Sequence, residues 1–143
     1  MFLQSEKTQV IFCDVHRSLI NQSVTISPDS LVSNNALLAE LCLYFQLPTT
    51  FLTVPVSTGP TGIIDSLQFL QTPNNTFHRL DADPFKDGLL VEHLASTSAN
   101  TVVISGFAIE VGVMFTALGA LQKGYRVMLG GQKVLSCLSR IKN

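Results

Sequence analysis

The strongest constraint on the fold is a strand–helix–strand pattern in residues 101–129. Residues 101–105 (TVVIS) form a β-branched, apolar run that is typical of a buried strand. A helical pattern follows over residues 109–123, and Gly124 is placed to close it as a C-cap before a second apolar run at 125–129. This is a βαβ unit, and such units build parallel sheets because their crossovers are right-handed.

The same alternation extends over the rest of the chain. Three further apolar or β-branched runs predict strands, at residues 10–13, 50–54 and 76–78. Helices are predicted at residues 63–70 and 88–95 and, after the N-cap Ser27 with Pro28 behind it, as far as Phe45 or Gln46. Five strands and their helices predict an α/β fold, a doubly wound (Rossmann-like), mainly parallel sheet flanked by helices, in a single domain of residues 1–143.

The composition bears on partners. The chain of 143 residues is 46% hydrophobic and only 13% charged, so we expect part of its surface to be buried in a homo-oligomer. The net charge is −1 and there is no Lys/Arg cluster, so we expect no binding to nucleic acid. No apolar run is long enough to span a membrane, so no membrane association is expected.

The cysteines favour a reducing compartment. Cys13, Cys42 and Cys137 are odd in number and widely spaced, and residues 1–9 do not form a signal peptide. We therefore expect reduced thiols in a cytoplasmic protein. Cys13 lies on the first predicted strand with its side chain opposite to that of Asp14, so we expect it in the core rather than as a nucleophile.

Two charged residues follow predicted strands, at the edge of the sheet where ligands of parallel sheets bind. Asp14 comes directly after the first strand, where partial burial can raise a carboxyl pKa enough for acid/base work. A structural aspartate that caps a turn is an equally weighted alternative. Arg79 follows the third strand, where it can pair with Asp14 or hold an anionic substrate. Taken alone, a surface arginine is the more frequent case.

The remaining candidate sites have weaker sequence signals. Residues 106–112 open a helix, and free amides at a helix start can bind an anion or an oxyanion. The segment lacks the glycine patterns of dinucleotide and P-loop sites, so we predict no cofactor. His16, His78 and His93 show no metal-ligand spacing, so we predict no metal site.

Several segments resemble the isochorismatase-like superfamily, also called the cysteine hydrolases. Residues 10–16 (VIFCDVH) resemble its first strand and catalytic Asp, and residues 104–113 (ISGFAIEVGV) resemble the segment that carries its nucleophile. Residues 45–49 (FQLPT) and 58–62 (TGPTG) are similar to one branch of uncharacterised hydrolases in it. The similarity runs from about residue 8 to residue 129 and implies a hydrolase fold.

The resemblance also implies roles for individual residues. Asp14 falls on the catalytic Asp, and Arg79 falls on the basic position. Gly112 falls on the nucleophilic Cys, and glycine cannot form the covalent intermediate. The family implies substrate or oxyanion binding at Ala108, Ile109 and Gly112, often with a cis peptide equivalent to Ala108–Ile109.

The C-terminal part departs from the family pattern. Members usually have an acidic residue after the strand equivalent to residues 125–129, and then a further helix and strand. Here residues 130–132 are Gly-Gly-Gln and the sequence ends at Asn143, so we expect the sixth strand to be missing. A sheet edge left open in this way needs a cover such as a partner subunit.

Two functions remain open. True isochorismatases resemble this chain in having Gly at the Cys position, and their Asp is thought to protonate a vinyl ether to which water then adds. By this resemblance the chain is a hydrolase of an unknown small molecule, with Asp14 as acid/base and Arg79 as the basic substrate-binding residue. The alternative is a catalytically silent member, a pseudoenzyme, that acts as a binding or oligomeric assembly protein.

Overall fold

The computed structural model describes residues 3–23, 26–54, 62–107 and 112–130. Its strands are β1 (Thr8–Cys13), β2 (Thr49–Thr53), β3 (Thr76–His78), β4 (Thr101–Gly106) and β5 (Arg126–Leu129). Its α-helices are α1 (Arg17–Ile20), α2 (Pro28–Phe45), α3 (Gly88–Ala95) and α4 (Met114–Gln122). Short 3-10 helices lie at Ser5–Lys7, Asp65–Leu70, Pro73–Asn75 and Pro84–Lys86.

The five strands form one parallel sheet in the order β3-β2-β1-β4-β5. Strand β1 is central: Val10 pairs with Thr49 of β2 on one side and with Val103 of β4 on the other. All six residues of β1 are buried, since it has strands on both sides and helices over both faces. The predicted α/β fold is confirmed, and the carboxyl ends of β1, β2, β3 and β4 meet at one edge.

Side-chain alternation divides the core into two layers. Val10 and Phe12 point to the face covered by α2, where the Phe12 ring stacks on Phe51 at a centroid distance of 5.2 Å. Ile11 and Cys13 point to the opposite face, covered by α3 and α4. Helices therefore pack on both faces of the sheet, as a doubly wound fold requires.

Local sequence signals explain the ends of α2. The Ser27 side chain accepts a hydrogen bond from the Ser30 backbone N–H at 3.2 Å, and Pro28 occupies the first helical position. The helix ends at Phe45, and Gln46 takes a left-handed conformation with φ of +56°. The predicted bounds of this helix are confirmed.

Other elements differ from prediction in detail. The helix predicted at residues 63–70 is a 3-10 helix from Asp65 to Leu70, because Ile63 instead forms an antiparallel bridge with His16. Gly124 has φ of +91° and follows α4 as the predicted C-cap glycine. The described part of that helix begins at Met114, so its predicted start at residue 109 is not covered. The missing sixth strand stays a prediction, since residues 131–143 lie outside the described ranges.

Candidate active site

Asp14 is held at the carboxyl end of β1 by its backbone. Its N–H donates to the Leu52 carbonyl at 2.9 Å, and its φ of +55° is a left-handed conformation that aspartate adopts more readily than most residues. The residue is 3% exposed. The end of β1 therefore places a carboxyl group inside the protein. From the sequence alone, a catalytic acid and a structural aspartate that caps a turn are equally weighted alternatives.

Gly106, at the end of β4, supports this position from behind. Its φ is +144°, and a Cβ added to it would collide with the Cys13 carbonyl group. The next residue, Phe107, donates its backbone N–H to that same carbonyl oxygen at 3.1 Å. The ends of β1 and β4 can meet this closely only because residue 106 has no side chain, and the peptide they fix is the one that precedes Asp14.

Arg79 reaches Asp14 from the end of β3. Its backbone N–H donates to the Thr53 carbonyl at 2.7 Å, which continues the pairing of β3 with β2. Its Nη2 lies 2.5 Å from Asp14 Oδ2, and its Nη1 donates to the Ala82 carbonyl at 3.3 Å. The Arg79 side chain is 8% exposed, so the interpretation of Arg79 as a surface residue is wrong. The predicted pairing of Arg79 with Asp14 is observed.

Gly112 lies against this ion pair. A Cβ at Gly112 would collide with Asp14 Oδ2 and would lie 3.3 Å from Arg79 Nη2. The Gly112 carbonyl accepts a hydrogen bond from the Thr116 hydroxyl at 2.7 Å, which ties it to the first turn of α4. Asp14, Arg79 and Gly112, far apart in sequence, are thus brought together, and the pair occupies the space that a side chain at position 112 would need.

The electrostatics of Asp14 are dominated by burial. Burial raises the pKa of the Asp14 carboxyl above its ordinary value, and the adjacent Arg79 guanidinium opposes part of that rise. Oδ2 is bound to Arg79, whereas Oδ1 is buried and has no hydrogen-bond partner among the described residues. The carboxyl group therefore has one oxygen fixed by an ion pair and one buried oxygen that no described residue binds.

Cys13 lies in the core of the protein. It is 1% exposed within the layer under α3 and α4, and its thiol lies 3.6 Å from the Thr116 hydroxyl oxygen. Burial raises the pKa of the Cys13 thiol to about 12, so it stays protonated at neutral pH, and the thiolate is the reactive form. The prediction that Cys13 belongs to the core is confirmed.

The histidines near this edge have structural contacts. His16 is buried, and its Nε2 accepts a hydrogen bond from the Val54 backbone N–H at 3.2 Å. His78 Nδ1 lies 2.6 Å from the Thr53 hydroxyl, and the His93 ring contacts Phe77. Across the described ranges no cluster of His, Cys, Asp or Glu has the geometry of a metal site.

Two of the predicted site residues cannot be compared with the structure, and two residues that support the site were not predicted. Ala108 and Ile109, with the expected cis peptide between them, lie outside the described residues. Sequence reasoning also missed the support that Gly106 and Thr116 give to the site. The only local signals were a glycine at the end of a strand and a threonine one helical turn after Gly112.

The sequence profile of the Isochorismatase domain matches residues 8–132. The chain belongs to the isochorismatase family.

Relatives support this assignment. "Probable hydrolase YcaC" from Escherichia coli (strain K12) is 31% identical over an alignment of 134 residues that covers 89% of this chain and 62% of that protein. The chain thus spans less than two thirds of that relative's length. The crystal structure of E. coli YcaC, described as an octameric hydrolase of unknown specificity, has a TM-score of 0.78 at 27% identity and covers 99% of this chain and 74% of its own.

A second solved structure is similar to the same degree. YcaC from Pseudomonas aeruginosa, determined with hexane-2,5-diol and covalent acrylamide, has a TM-score of 0.78 at 26% identity and covers 96% of this chain and 72% of its own. An isochorismatase from Pseudomonas putida KT2440 has a TM-score of 0.77 at 19% identity and covers 90% of this chain and 71% of its own, which supports the fold alone. The five-stranded parallel sheet of this chain, with helices on both faces, matches the fold of these structures.

Proposed function

We propose that this isochorismatase-family chain is a hydrolase of a small molecule that works by acid catalysis at Asp14, without a covalent intermediate. The observation that carries the proposal is the state of the Asp14 carboxyl group. It is buried, its pKa is raised by burial, and Oδ1 has no partner among the described residues while Oδ2 is fixed by Arg79. A raised pKa lets a carboxyl group hold a proton nearer to neutral pH, as a general acid must.

The chemistry then divides between Asp14 and Arg79. Asp14 donates its proton to an atom of the substrate, and water adds to the electron-poor carbon that results. The water loses one proton to Asp14, which restores the acid. The adduct then breaks its bond to the leaving group, which departs as an alcohol with the remaining proton of the water and leaves a carbonyl product. Arg79, freed from the carboxylate when that group is protonated, binds the negative part of the substrate. We further propose that the backbone amides of Ala108, Ile109 and Gly112 bind a substrate oxygen, as amides at a helix start can do.

We assign to Gly112 the position of the family nucleophile. The support is its contact with Asp14 and Arg79 and the burial of Cys13, whose thiol pKa near 12 leaves it unreactive. With no thiolate at this place, water is the nucleophile. P. aeruginosa YcaC was determined with covalent acrylamide, and we expect no such adduct at this site of the present chain.

A second candidate is a catalytically silent member that binds or assembles. The direct ion pair favours it, since Asp14 Oδ2 and Arg79 Nη2 satisfy each other at 2.5 Å in the space that a side chain at Gly112 would fill. Two charged groups that neutralise each other need no substrate to remain buried.

Both candidates are compatible with a homo-oligomer. E. coli YcaC is described as octameric, and α4 of this chain exposes a row of apolar side chains at Met114, Phe115, Leu118 and Leu121. We propose that these residues pack against another copy of the chain in a cytoplasmic assembly. Light scattering then reports an oligomer for the wild type and a smaller species for Leu118→Glu. Equal masses contradict the interface.

Ligand screening separates hydrolase from silent scaffold. Melting temperatures are measured for the wild type, Asp14→Asn and the control Asp29→Asn, which makes the same change at an exposed position of α2. Each protein is screened with small carboxylates, amides and isochorismate. A ligand of the native state raises the melting temperature by mass action. The hydrolase account predicts a shift in the wild type and in Asp29→Asn that is lost in Asp14→Asn, followed by product formation. A shift without product formation supports the silent member.

A further inference from the structure

A cavity of about 230 Å³ shares Arg79 with the Asp14 site. Among the described residues, its apolar walls come from β2, β3, the 3-10 helix Pro84–Lys86, α3 and the turn after β3. The apolar lining residues are Leu52, Phe77, Leu80, Pro84 and Leu90. Neither the acid chemistry of Asp14 nor the family resemblance assigns a role to this space.

The walls of this cavity are held by packing on each side. The Phe77 ring contacts the His93 ring of α3 at a centroid distance of 5.1 Å. The 3-10 helix is anchored from outside by Phe85, whose ring lies so close to Gly119 of α4 that a Cβ there would collide with it. Leu90 is fully buried. A cavity between elements fixed in this way is preformed, which lowers the entropic cost of binding a ligand.

The volume matches a small apolar group, and the side of the cavity formed by Leu80, which is 91% exposed, is open to solvent. An apolar cavity of ~150 Å³ in a protein core holds benzene. A space of about 230 Å³ therefore accepts one ring with a short substituent, or an alkyl chain of similar size.

The charges around the cavity leave an excess of carboxylate. Lys86 and Asp81 pair at its rim, with Nζ and Oδ2 3.3 Å apart, and Arg79 is paired with Asp14. Among the described lining residues, the two other charged ones are Asp83 and Asp87. Their Oδ1 atoms accept the backbone N–H groups of the residues two further on, at 2.9 and 3.0 Å, and neither has an ion-pair partner within the described ranges.

We propose that this cavity is a binding site for a small, mainly apolar molecule with a positive charge, such as an arylalkyl or alkyl amine. The apolar walls remove the hydrocarbon part from water, and the carboxylates of Asp83 and Asp87 attract the ammonium group. A carboxylate ligand of the same size meets the same two carboxylates and is repelled. The site accordingly prefers charge of the opposite sign to that of a dicarboxylate such as isochorismate.

The experiment is an amide NMR titration of the full chain with three compounds that share one ring: benzylamine, benzyl alcohol and benzoate. We expect benzylamine to bind most tightly and benzoate most weakly, with the largest shifts at the amides of Phe77, Asp87 and Leu90. Benzoate binding as tightly as benzylamine, or shifts confined to other parts of the fold, overturns the proposal. Binding is measured without turnover, so this result stands apart from the fate of the proposed hydrolase.

Charge variants test the selectivity. Asp83→Asn and Asp87→Asn remove the charges while each asparagine keeps the oxygen that caps its helix. Each change is expected to weaken benzylamine roughly twofold to fivefold, as for partly exposed charge pairs, and to leave benzyl alcohol unchanged. The control Asp29→Asn removes a charge from α2 and is expected to change neither. A preference for benzylamine that survives in the double variant contradicts the role of the two carboxylates.

Discussion

At the carboxyl edge of the sheet, the Asp14 site and the neighbouring cavity share the side chain of Arg79. Around Asp14 the charges are matched and the atoms are in close contact, with Oδ2 2.5 Å from Arg79 and no room for a side chain at Gly112. In the cavity there are about 230 Å³ of space, apolar walls and carboxylates without ion-pair partners in the described ranges. Asp14 is not among the described residues that line the cavity, and Arg79 is the residue that the two regions share.

This difference determines which kinds of substitution should affect each region. The Asp14 site depends on the absence of atoms at Gly106 and Gly112, so added methyl groups should damage it. The ligand preference of the cavity depends on the charge of its lining residues. Replacing its carboxylates by isosteric amides should therefore change ligand binding without lowering the stability of the fold. Substitutions that act on one region and spare the other test the comparison.

The largest effect is expected for Gly106→Ala, which breaks the support behind Asp14. The added methyl group would collide with the Cys13 carbonyl, and residue 106 has φ of +144°, so overpacking and backbone strain combine to lower the free energy of unfolding by about 3 kcal/mol. Urea denaturation measures this change.

The control for Gly106→Ala lies on the cavity side of the molecule. Gly88→Ala, at the start of α3, places a methyl group where no atom lies within 4 Å, and its free energy of unfolding should stay equal or rise. Equal losses of stability in the two variants would contradict the close contact behind Asp14.

Arg79→Met is expected to have the next largest effect, because it leaves the buried Asp14 carboxyl group without its counter-charge. Breaking one partner of a buried ion pair costs about 3 kcal/mol, and the double variant Asp14→Asn/Arg79→Met should recover part of it. As the control at the cavity rim, Asp81→Asn removes one partner of the exposed pair with Lys86 and should leave the denaturation midpoint unchanged. Additive single and double variants would show that Asp14 and Arg79 are not coupled.

Gly112→Ala tests the close contact between the Asp14–Arg79 ion pair and the start of α4. The new methyl group displaces Asp14 Oδ2 from Arg79 Nη2, with an expected loss of about 2 kcal/mol in the free energy of unfolding. Benzylamine binding in the cavity should persist in this variant, as amide NMR can show. Unaltered stability would mean that position 112 has room for a side chain.

The smallest effect is a pH dependence of the free energy of unfolding. The Asp14 pKa is raised by burial in the folded state, so this group stabilises the fold below its ordinary pKa of ~3.9, and the contribution is lost as pH rises through the folded value. The stability of the wild type relative to Asp14→Asn should therefore fall from acid to neutral pH. Parallel denaturation series of the two proteins measure it, and a difference that grows with pH contradicts the sign.

Much of the fold could be predicted because its signals are local. The buried strands β1 and β4 are continuous apolar runs, and α2 has a Ser-Pro start that can be identified without knowledge of its neighbours. Elements that depend on tertiary contacts were less visible. The four-residue α1 was not predicted, and Ile63 leaves its predicted helix to bridge with His16.

The site could be predicted only in part, for the same reason. Asp14 is apparent from its place after a buried strand. Its partner Arg79 is 65 residues away, and by frequency alone it would be a surface residue. Gly112 was singled out by family resemblance, since a glycine has no chemistry of its own. The cavity could not be predicted, because its volume arises from the packing of β3 and α3 around side chains such as Phe77.

The most direct test of the proposed function is the titration of the Asp14 carboxyl carbon by ¹³C NMR, with its signal assigned by its loss in Asp14→Asn. The account predicts an Asp14 pKa above the ordinary value for aspartate, because burial disfavours the ionised carboxylate more than Arg79 stabilises it. An Asp14 pKa at or below the ordinary value would mean that Arg79 keeps the carboxylate ionised. That result would contradict acid catalysis and leave the silent member.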